Sequence, residues 1–223
     1  MRAPRHPRQA LLAAAAIAAG VAAAAAPASA DMIDMTGVEP QHICAECHGL
    51  DGAGNRIKFP RLAGQNPKYI VKQLSDFRGG HRKNDGGQMQ QTATEVEEKD
   101  IPKVADWFSR QTAPWPKQTI EGEFDMARAR HIATAGANGA PACLSCHSAA
   151  SLELADRPAI VAPRLAGQHD YYIAKQLKDF REKRRGNDPD HMMTAIARDM
   201  TDAEIAALAV FLSQNPELHE AKP

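Results

Sequence analysis

The chain has 223 residues, with 27 basic and 27 acidic side chains, 43% apolar residues and four cysteines. This balanced charge excludes a nucleic-acid-binding protein held by a strongly basic surface, and it is ordinary for a soluble globular protein. Aromatic residues make up only 5% of the chain, so two small domains would need a staple such as a disulfide, a metal or a cofactor.

The first thirty residues have the pattern of a secretory signal peptide. Arg2, Arg5 and Arg8 precede an alanine-rich apolar run, and Ala28-Ser29-Ala30 has the small-x-small pattern of a signal-peptidase site. A retained membrane anchor is the alternative, but an anchor needs about 20 strongly apolar residues, and this run ends at Pro27. The sequence therefore predicts cleavage after Ala30 and export of a mature protein without a transmembrane segment.

All four cysteines lie in two Cys-x-x-Cys-His motifs, which are Cys44-Ala45-Glu46-Cys47-His48 and Cys143-Leu144-Ser145-Cys146-His147. This motif is typical of covalent haem attachment. Two thiols one helical turn apart can add to the two vinyl groups of a porphyrin, and the next histidine then supplies an axial imidazole to the iron. The motifs predict two covalent haem c groups, attached at Cys44 and Cys47 and at Cys143 and Cys146, with His48 and His147 as iron ligands.

Three other uses of four cysteines compete with haem attachment. Zinc ribbons place their cysteine pairs about 15–20 residues apart, whereas Cys47 and Cys143 lie far apart in this chain. A thioredoxin-like redox pair needs strand–helix–strand surroundings, and the local pattern around both motifs is helical. Two simple disulfides, the usual state of four cysteines in an oxidising compartment, are the third alternative.

The chain consists of two copies of one unit. Pro60-Arg61-Leu62-Ala63-Gly64-Gln65 recurs 103 positions later as Pro163-Arg164-Leu165-Ala166-Gly167-Gln168. At the same offset the following positions recur: Tyr69, Gln73, Leu74, Asp76, Phe77 and Arg78, as Tyr172, Gln176, Leu177, Asp179, Phe180 and Arg181. The offset is 104 in the last helix of each copy, where apolar residues follow i, i+3, i+4, i+7 spacing from Ile101 and from Ile205.

Each copy is predicted to contain a helix, the haem motif, a loop, a helix, a loop and a final helix. Asn66-Pro67 predicts one helix start, Thr201 to Glu204 predicts a capping box, and Pro102 is expected to delay the matching helix of the first copy by a turn. We predict an all-α fold of two tandem domains. The predicted ranges are a signal peptide at 1–30, domain 1 at 31–113, a linker at 114–122, domain 2 at 123–214 and a tail at 215–223.

Methionine is the common partner of histidine as the second axial ligand in c-type cytochromes. Met89 is the only methionine between the first haem motif and the last helix of its copy, whereas Met192 and Met193 compete in the second. The local offset of 104 favours Met193. His81 and His191 lie in the same loops and are the alternative ligands, which would give bis-histidine iron.

Taken together, these motifs and their order, found twice, resemble the di-haem cytochrome c4 family over essentially the whole mature chain. The resemblance implies two class I cytochrome c domains, a periplasmic location and electron transfer between redox proteins. It also implies that the carbonyls of Pro60 and Pro163 accept hydrogen bonds from His48 and His147. The partners implied are an electron donor and a terminal oxidase or reductase, with no nucleic acid and at most a peripheral contact with the membrane.

Basic residues recur after the middle helix of each copy. Two interpretations are open: a docking surface for an acidic redox partner, or favourable placement of cations near a helix C-terminus, facing water. The residues concerned are Arg78, Arg82, Lys83, Arg181, Lys183, Arg184 and Arg185.

The favoured function is a soluble electron carrier without catalytic residues. The alternative is the haem subunit of a larger periplasmic oxidoreductase, such as a flavocytochrome sulfide dehydrogenase. A third hypothesis is an enzyme in its own right, for example a di-haem peroxidase or a thiosulfate-oxidising cytochrome, and such an enzyme needs iron with an open or labile position.

Overall fold

The computed structural model describes residues 37–148 and 161–215. The predicted signal peptide and the tail from residue 216 lie outside the described residues. Within the two described ranges every regular element is a helix, and one isolated bridge joins Ala137 and Ala140. The prediction of an all-α fold is confirmed.

Nine α-helices follow one another in the described ranges, in two series that mirror the sequence repeat. They are α1 (Pro40–His48), α2 (Pro67–Arg78), α3 (Gln88–Glu95), α4 (Ile101–Arg110), α5 (Met126–Ala135), α6 (Leu144–His147), α7 (Asp170–Arg181), α8 (Met192–Ala197) and α9 (Asp202–Gln214). Short 3-10 turns span Glu98–Asp100 and Pro189–His191.

Each copy has its own apolar core, built on the last helix. In the first copy α4 packs against α1 and α2, and in the second α9 packs against α5 and α7. The four predicted apolar positions of α4 are buried, and so are their counterparts on α9: Ile101, Val104, Ala105, Phe108, Ile205, Leu208, Ala209 and Leu212. The periodicity therefore identified the helix face that forms each core.

The predicted helix starts are present. Asn66 Oδ1 accepts a hydrogen bond from Lys68 N at 3.0 Å, with Pro67 in the first turn. At α9 the Thr201 hydroxyl accepts from Glu204 N at 3.2 Å, and the Glu204 carboxylate accepts from Thr201 N at 3.0 Å. Pro102 has the expected effect, because α4 begins one turn later than α9 and a 3-10 turn takes the place of its first turn.

The repeat offset changes from 103 to 104 in the loop before α3 and α8. Gly86 and Gly87 have left-handed φ angles of 76° and 89°, and the corresponding Asp190 and His191 have φ angles of 52° and 55°. Pro189 is then the extra residue of the second copy. Left-handed backbone is unfavourable for side chains with a Cβ, so the second copy holds this turn at a cost that glycine avoids in the first.

The segment between the copies has no regular secondary structure, and hydrogen bonds attach it to both copies. The Trp115 indole donates to Ser213 O at 2.9 Å, and the fully buried Asp170 carboxylate accepts from the backbone N–H groups of Thr119 and Ile120 at 2.6 and 2.9 Å. The Arg61 guanidinium donates to the carbonyls of residues 113 and 114 at 2.8 and 2.7 Å. These contacts fix the path of the chain between the two copies.

The repeated Pro-Arg-Leu-Ala-Gly-Gln segments pair with each other across the contact between the copies. Gln65 donates to Arg164 O at 3.1 Å and accepts from Arg164 N at 2.7 Å. Gln168 donates to Arg61 O at 2.9 Å and accepts from Arg61 N at 2.8 Å. The two copies are therefore related by an approximate two-fold axis, and this explains why both glutamines recur at the same place.

Candidate haem sites

The two Cys-x-x-Cys-His motifs lie on corresponding helices. Cys44, Cys47 and His48 form the last turns of α1, while Cys143 directly precedes α6, which contains Cys146 and His147. A helical turn separates the two cysteines of each motif, as the chemistry of attachment requires. The two cysteines of each motif are thus one helical turn apart, as predicted from the sequence.

Both motif histidines donate a hydrogen bond to a proline carbonyl. His48 Nδ1 lies 2.9 Å from Pro60 O, and His147 Nδ1 lies 2.8 Å from Pro163 O. Because a carbonyl oxygen only accepts, Nδ1 carries the proton and Nε2 keeps its lone pair. Burial lowers the pKa of each histidine, although the bond to proline opposes this, so the neutral imidazole that a metal needs is favoured.

Apolar surroundings also define the chemistry of the cysteines. Burial raises the pKa of Cys44 to about 11 and that of Cys143 to about 11. Such surroundings disfavour a charged thiolate and suit a neutral thioether. The environments of Cys44 and Cys143 therefore fit covalent attachment to a porphyrin better than they fit a thiolate site for a bare metal ion.

Gly54 allows the close approach of the Pro60 carbonyl to His48. Its φ is +71°, and a Cβ at this position would lie 2.5 Å from Pro60 O and 2.6 Å from Phe59 O. A side chain at residue 54 would have to displace the backbone that positions the histidine. The counterpart of Gly54 in the second copy lies outside the described residues.

We expect Gly54→Ala to destabilise the first domain by about 2 kcal/mol or more, since left-handed strain adds to a backbone clash. It should also shift the potential of the first haem only, because the His48 hydrogen bond is disturbed. Thermal unfolding and spectroelectrochemistry measure both effects.

Gly139→Ala, in the second domain, is the matched control for Gly54→Ala. The φ of Gly139 is +77°, but no described residue comes within 4 Å of its Cβ position, so we expect strain without a shift in the potential of the first haem. Equal effects of the two variants would contradict this role of Gly54.

The two predicted methionines occupy equivalent positions. Met89 is the second residue of α3 and packs against the first core, and Met193 is the second residue of α8 and packs against the second core. Both line the same cavity as the motif histidines, and so does Met192. His81 and His191 are exposed.

A continuous cavity of about 320 Å³ connects the two motifs. All the predicted attachment and ligand residues line it, together with polar side chains from the contact between the copies: Cys44, Cys47, His48, Met89, Cys143, Cys146, His147, Met193, Arg82, Arg185, Tyr69, Tyr172, Gln73 and Gln176. Residues of both motifs therefore line the same cavity, and the polar contact between the copies forms part of its wall.

Two buried arginines lie in the polar part of this cavity wall. Arg82 donates to Gln73 at 2.7 Å in its own copy, and to the Tyr172 hydroxyl and Gln176 of the other copy at 2.9 and 3.1 Å. Its guanidinium also lies 4.6 Å from the centre of the Phe77 ring. This arginine thus bonds to both copies at once.

Arg185 makes the corresponding set of contacts from the second copy. It donates to Gln176 at 2.7 Å, and to the Tyr69 hydroxyl and Gln73 at 3.0 and 3.1 Å. Burial raises the pKa of Tyr69, but the guanidiniums of Arg185 and Arg82 outweigh this and lower it overall. The two arginines therefore place two positive charges close to both tyrosines.

For Arg82 and Arg185, these contacts show that both interpretations of the recurring basic residues were wrong. Arg82 and Arg185 are buried, with 5% and 6% of their surface exposed, so they neither face water nor form a docking surface. Arg78 and Arg181 are also engaged internally, donating to backbone carbonyls before the last helix of each copy. The remaining three, Lys83, Lys183 and Arg184, are exposed.

Arg82 and Arg185 also test whether the cavity suits a haem. Among the described residues, neither has a carboxylate within ion-pair distance, and their hydrogen-bond partners there are neutral amides and hydroxyls. Asp85 attracts Arg82 electrostatically without forming an ion pair with it, and a buried cation that lacks a paired anion is costly. Haem carries two propionate carboxylates, so the two guanidiniums and the apolar surroundings of Cys44 and Cys143 fit the two ends of this cofactor.

Replacing Arg82 with methionine should lower the reduction potential of a haem by roughly tens of millivolts. The reason is that the variant lacks a nearby positive charge, and such a charge favours ferrous iron. Spectroelectrochemistry of the purified protein measures the shift. Arg82→Lys keeps the charge and should recover most of the potential. Arg110→Met, at an exposed arginine of α4 paired with Asp106, should leave both potentials unchanged. An unchanged potential in Arg82→Met would contradict the counter-charge role.

The fold and the two motifs define a c-type cytochrome. The family model for cytochrome c matches the chain twice, at residues 41–112 and 128–216. No helix within the described ranges has the length and apolar character needed to cross a membrane.

Similar proteins show to which family of c-type cytochromes the chain belongs. Cytochrome c4 of Pseudomonas aeruginosa is 35% identical over 175 residues, which covers 76% of this chain and 82% of the relative. A thiosulfate dehydrogenase electron acceptor of Stutzerimonas stutzeri is 35% identical over 173 residues, covering 76% and 77%. The chain belongs to the cytochrome c4 family of di-haem cytochromes.

Solved structures agree with this assignment. The reduced recombinant cytochrome c4 from Pseudomonas stutzeri matches with a TM-score of 0.62 at 32% identity, covering 78% of this chain and 95% of that chain. A thiosulfate dehydrogenase from Marichromatium purpuratum matches with a TM-score of 0.65 at 30% identity, covering 78% of this chain but 36% of that one. The protein is thus a di-haem electron carrier with two covalent haem c groups, and it exchanges electrons with redox partners.

Proposed function

We propose that the protein is a periplasmic electron carrier whose two irons are held by His48 with Met89 and by His147 with Met193. The observation that carries the proposal is the shared cavity, which is lined by both histidines and both methionines. When bound, haem supplies a one-electron iron couple. One histidine and one methionine would hold the iron in each domain, and the carbonyls of Pro60 and Pro163 orient the two imidazoles.

The register of α3 and α8 supports Met193 over Met192 as the ligand. Ala93 and Ala197 are the buried alanines of these helices, with 1% and 0% of their surfaces exposed. Each lies four residues after the methionine proposed as ligand. Arg78 donates to Val96 O, and Arg181, which lies 103 positions later, donates to Met200 O, which lies 104 positions after Val96. The offset of 104 therefore applies at both ends of these helices. The equivalence therefore already holds at the methionines.

A carrier needs no group that acts on a substrate. The polar side chains between the two motifs bond mainly to one another across the approximate two-fold axis, as the contacts of Arg82 and Arg185 indicate. Iron held by a histidine and a methionine would have no open position for a substrate, and outer-sphere electron transfer requires none. These features support a carrier rather than an enzyme.

Ligand binding to the reduced protein tests the carrier against an enzyme. We expect no carbon monoxide binding to the untreated ferrous protein and no peroxidase turnover by the pure protein. A Met89→Ala variant is the positive control, because its first iron should then bind carbon monoxide. Ready binding by the unmodified protein, or turnover of peroxide, would overturn the carrier assignment.

A second candidate concerns the electron donor. Two relatives carry the name thiosulfate dehydrogenase electron acceptor, at 35% and 31% identity, and part of a thiosulfate dehydrogenase chain has the same fold. We propose thiosulfate dehydrogenase as a donor to this protein. Stopped-flow mixing with the reduced enzyme should reduce both haems rapidly, and reduction no faster than that of an unrelated cytochrome would contradict this.

The location and the domain limits are also part of the proposal. Relatives named cytochrome c4 support export to the periplasm, as do residues 1–30 by their composition. The two family-model matches support a division near the proposed linker at 114–122. The N-terminal sequence and mass of the mature protein test cleavage after Ala30.

A further inference from the structure

His169 breaks the symmetry of the contact between the two domains. It is the N-cap residue of α7, where the first copy has Asn66. His169 Nε2 lies 2.9 Å from the carbonyl oxygen of Ala53 in the other domain, whereas Asn66 reaches Ala162 O at 3.4 Å. A titratable side chain thus occupies one of two equivalent positions in this contact.

The second ring nitrogen of His169 lacks a partner within the described ranges. Nε2 must carry the proton that Ala53 O accepts, so Nδ1 is bare in the neutral ring. Nδ1 is fully buried with no hydrogen-bond partner among the described residues, and only 6% of the residue's surface is exposed. Protonation would therefore create a buried N–H without an acceptor, and that is costly.

The charged groups around His169 come from both domains. Arg56 and Arg61 of the first domain oppose protonation, and Asp170 on α7 favours it. The Asp170 carboxylate is already occupied, since it accepts from the backbone N–H groups of residues 119, 120 and 171. The surroundings of the ring consequently favour its neutral form.

We propose that His169 is a pH-sensitive latch between the two haem domains, which holds them together while it is neutral and loosens the contact when it is protonated. The inference goes beyond electron carriage, since it concerns how tightly the two domains are joined. Because both motifs line one cavity at this contact, loosening it would slow electron exchange between the haems.

The direction of the pH dependence follows from linkage. Burial lowers the pKa of His169 in the docked domains, and the bond to Ala53 only partly opposes this. The latch then contributes fully above the ordinary histidine value of about 6.5. Its contribution is lost as the pH falls from there through the lowered pKa of the docked state.

Two backbone amides report directly on docking. Arg61 N donates to Gln168 Oε1 at 2.8 Å, and Arg164 N donates to Gln65 Oε1 at 2.7 Å, each across the contact. Hydrogen exchange of these amides in the reduced holoprotein measures how often the domains separate. Protection factors, which correct for intrinsic exchange rates, should fall by roughly tenfold between about pH 7.5 and pH 5.

His169→Gln removes the titration and keeps an N–H donor for the Ala53 carbonyl. Its protection factors at the two amides should be nearly independent of pH over the same range. His131→Gln, at an exposed histidine of α5, is the matched control and should behave like the unmodified protein. If His169→Gln fails to fold, His169→Asn places the residue of the first copy at this position and serves the same test.

Equal pH dependence in the unmodified protein and the non-titrating variant would overturn the latch. So would protection that is constant with pH in both. A fall in protection at amides buried within one domain, such as those of α9, with the same midpoint would show general acid unfolding and would also contradict the proposal.

Discussion

Replacing Cys44 and Cys47 with serine should leave a protein that carries one haem, attached at Cys143 and Cys146. Each motif is complete within its own copy, and each copy has its own core. The remaining haem should therefore stay covalent and low-spin. Intact mass and the haem absorbance per chain measure the loss, which should be half of the cofactor.

The mirror variant, with Cys143 and Cys146 replaced, should retain the first haem only. The first domain of the Cys44 and Cys47 variant should unfold at a lower temperature, because its core loses the group that fills the cavity. Loss of both haems from either variant would show that attachment in the two domains is coupled, which contradicts two independent haem sites. Release of colour by acid–acetone from the unmodified protein would contradict covalent attachment altogether.

Met193→Ala should abolish the sulfur-to-iron charge-transfer band of the second haem and lower its potential. Thioether ligation favours ferrous iron relative to water or nitrogen ligation, so the shift should be the largest among single substitutions on the second copy. Absorption spectra of the oxidised protein and spectroelectrochemistry measure the two effects. The first haem, with Met89 in place, should be unchanged.

Met192→Ala is the matched control, since Met192 is the neighbouring residue and lines the same cavity. It should keep the charge-transfer band of the second haem. The opposite outcome, with the band lost in Met192→Ala and kept in Met193→Ala, would place the change of repeat offset after the methionine rather than before it.

The helical fold could be predicted from the sequence because its signals are local. Helix periodicity identified the buried faces of α4 and α9, and the two capping patterns and Pro102 acted within one turn of where they occur. The haem motifs are likewise local, since both thiols and the histidine lie within five consecutive residues. Such features do not depend on the rest of the fold.

The contact between the domains could not be predicted in the same way. Arg82 and Arg185 follow helices, and the sequence alone places a cation there in water or on a docking surface. Their burial depends on how two copies dock, which is a long-range property. A signal was present: Tyr69, Gln73 and Asp76 recur as Tyr172, Gln176 and Asp179 on helix faces where polar residues have no reason to repeat unless they meet a partner.

His169 was missed for a related reason. At this position the first copy has asparagine and the second has histidine, and an exposed cap would explain both. The histidine matters only because the Ala53 carbonyl of the other domain accepts its hydrogen bond, and this long-range contact cannot be read from the sequence.

A reductive titration of the purified protein, followed by absorption and by electron paramagnetic resonance of the oxidised form, tests most directly whether the chain holds two closed, low-spin haem irons. Each chain should take up two electrons, one per haem, and both irons should be low-spin before and after reduction. Uptake of a single electron per chain, or a high-spin signal from either haem in the untreated protein, would contradict a carrier with two histidine–methionine irons.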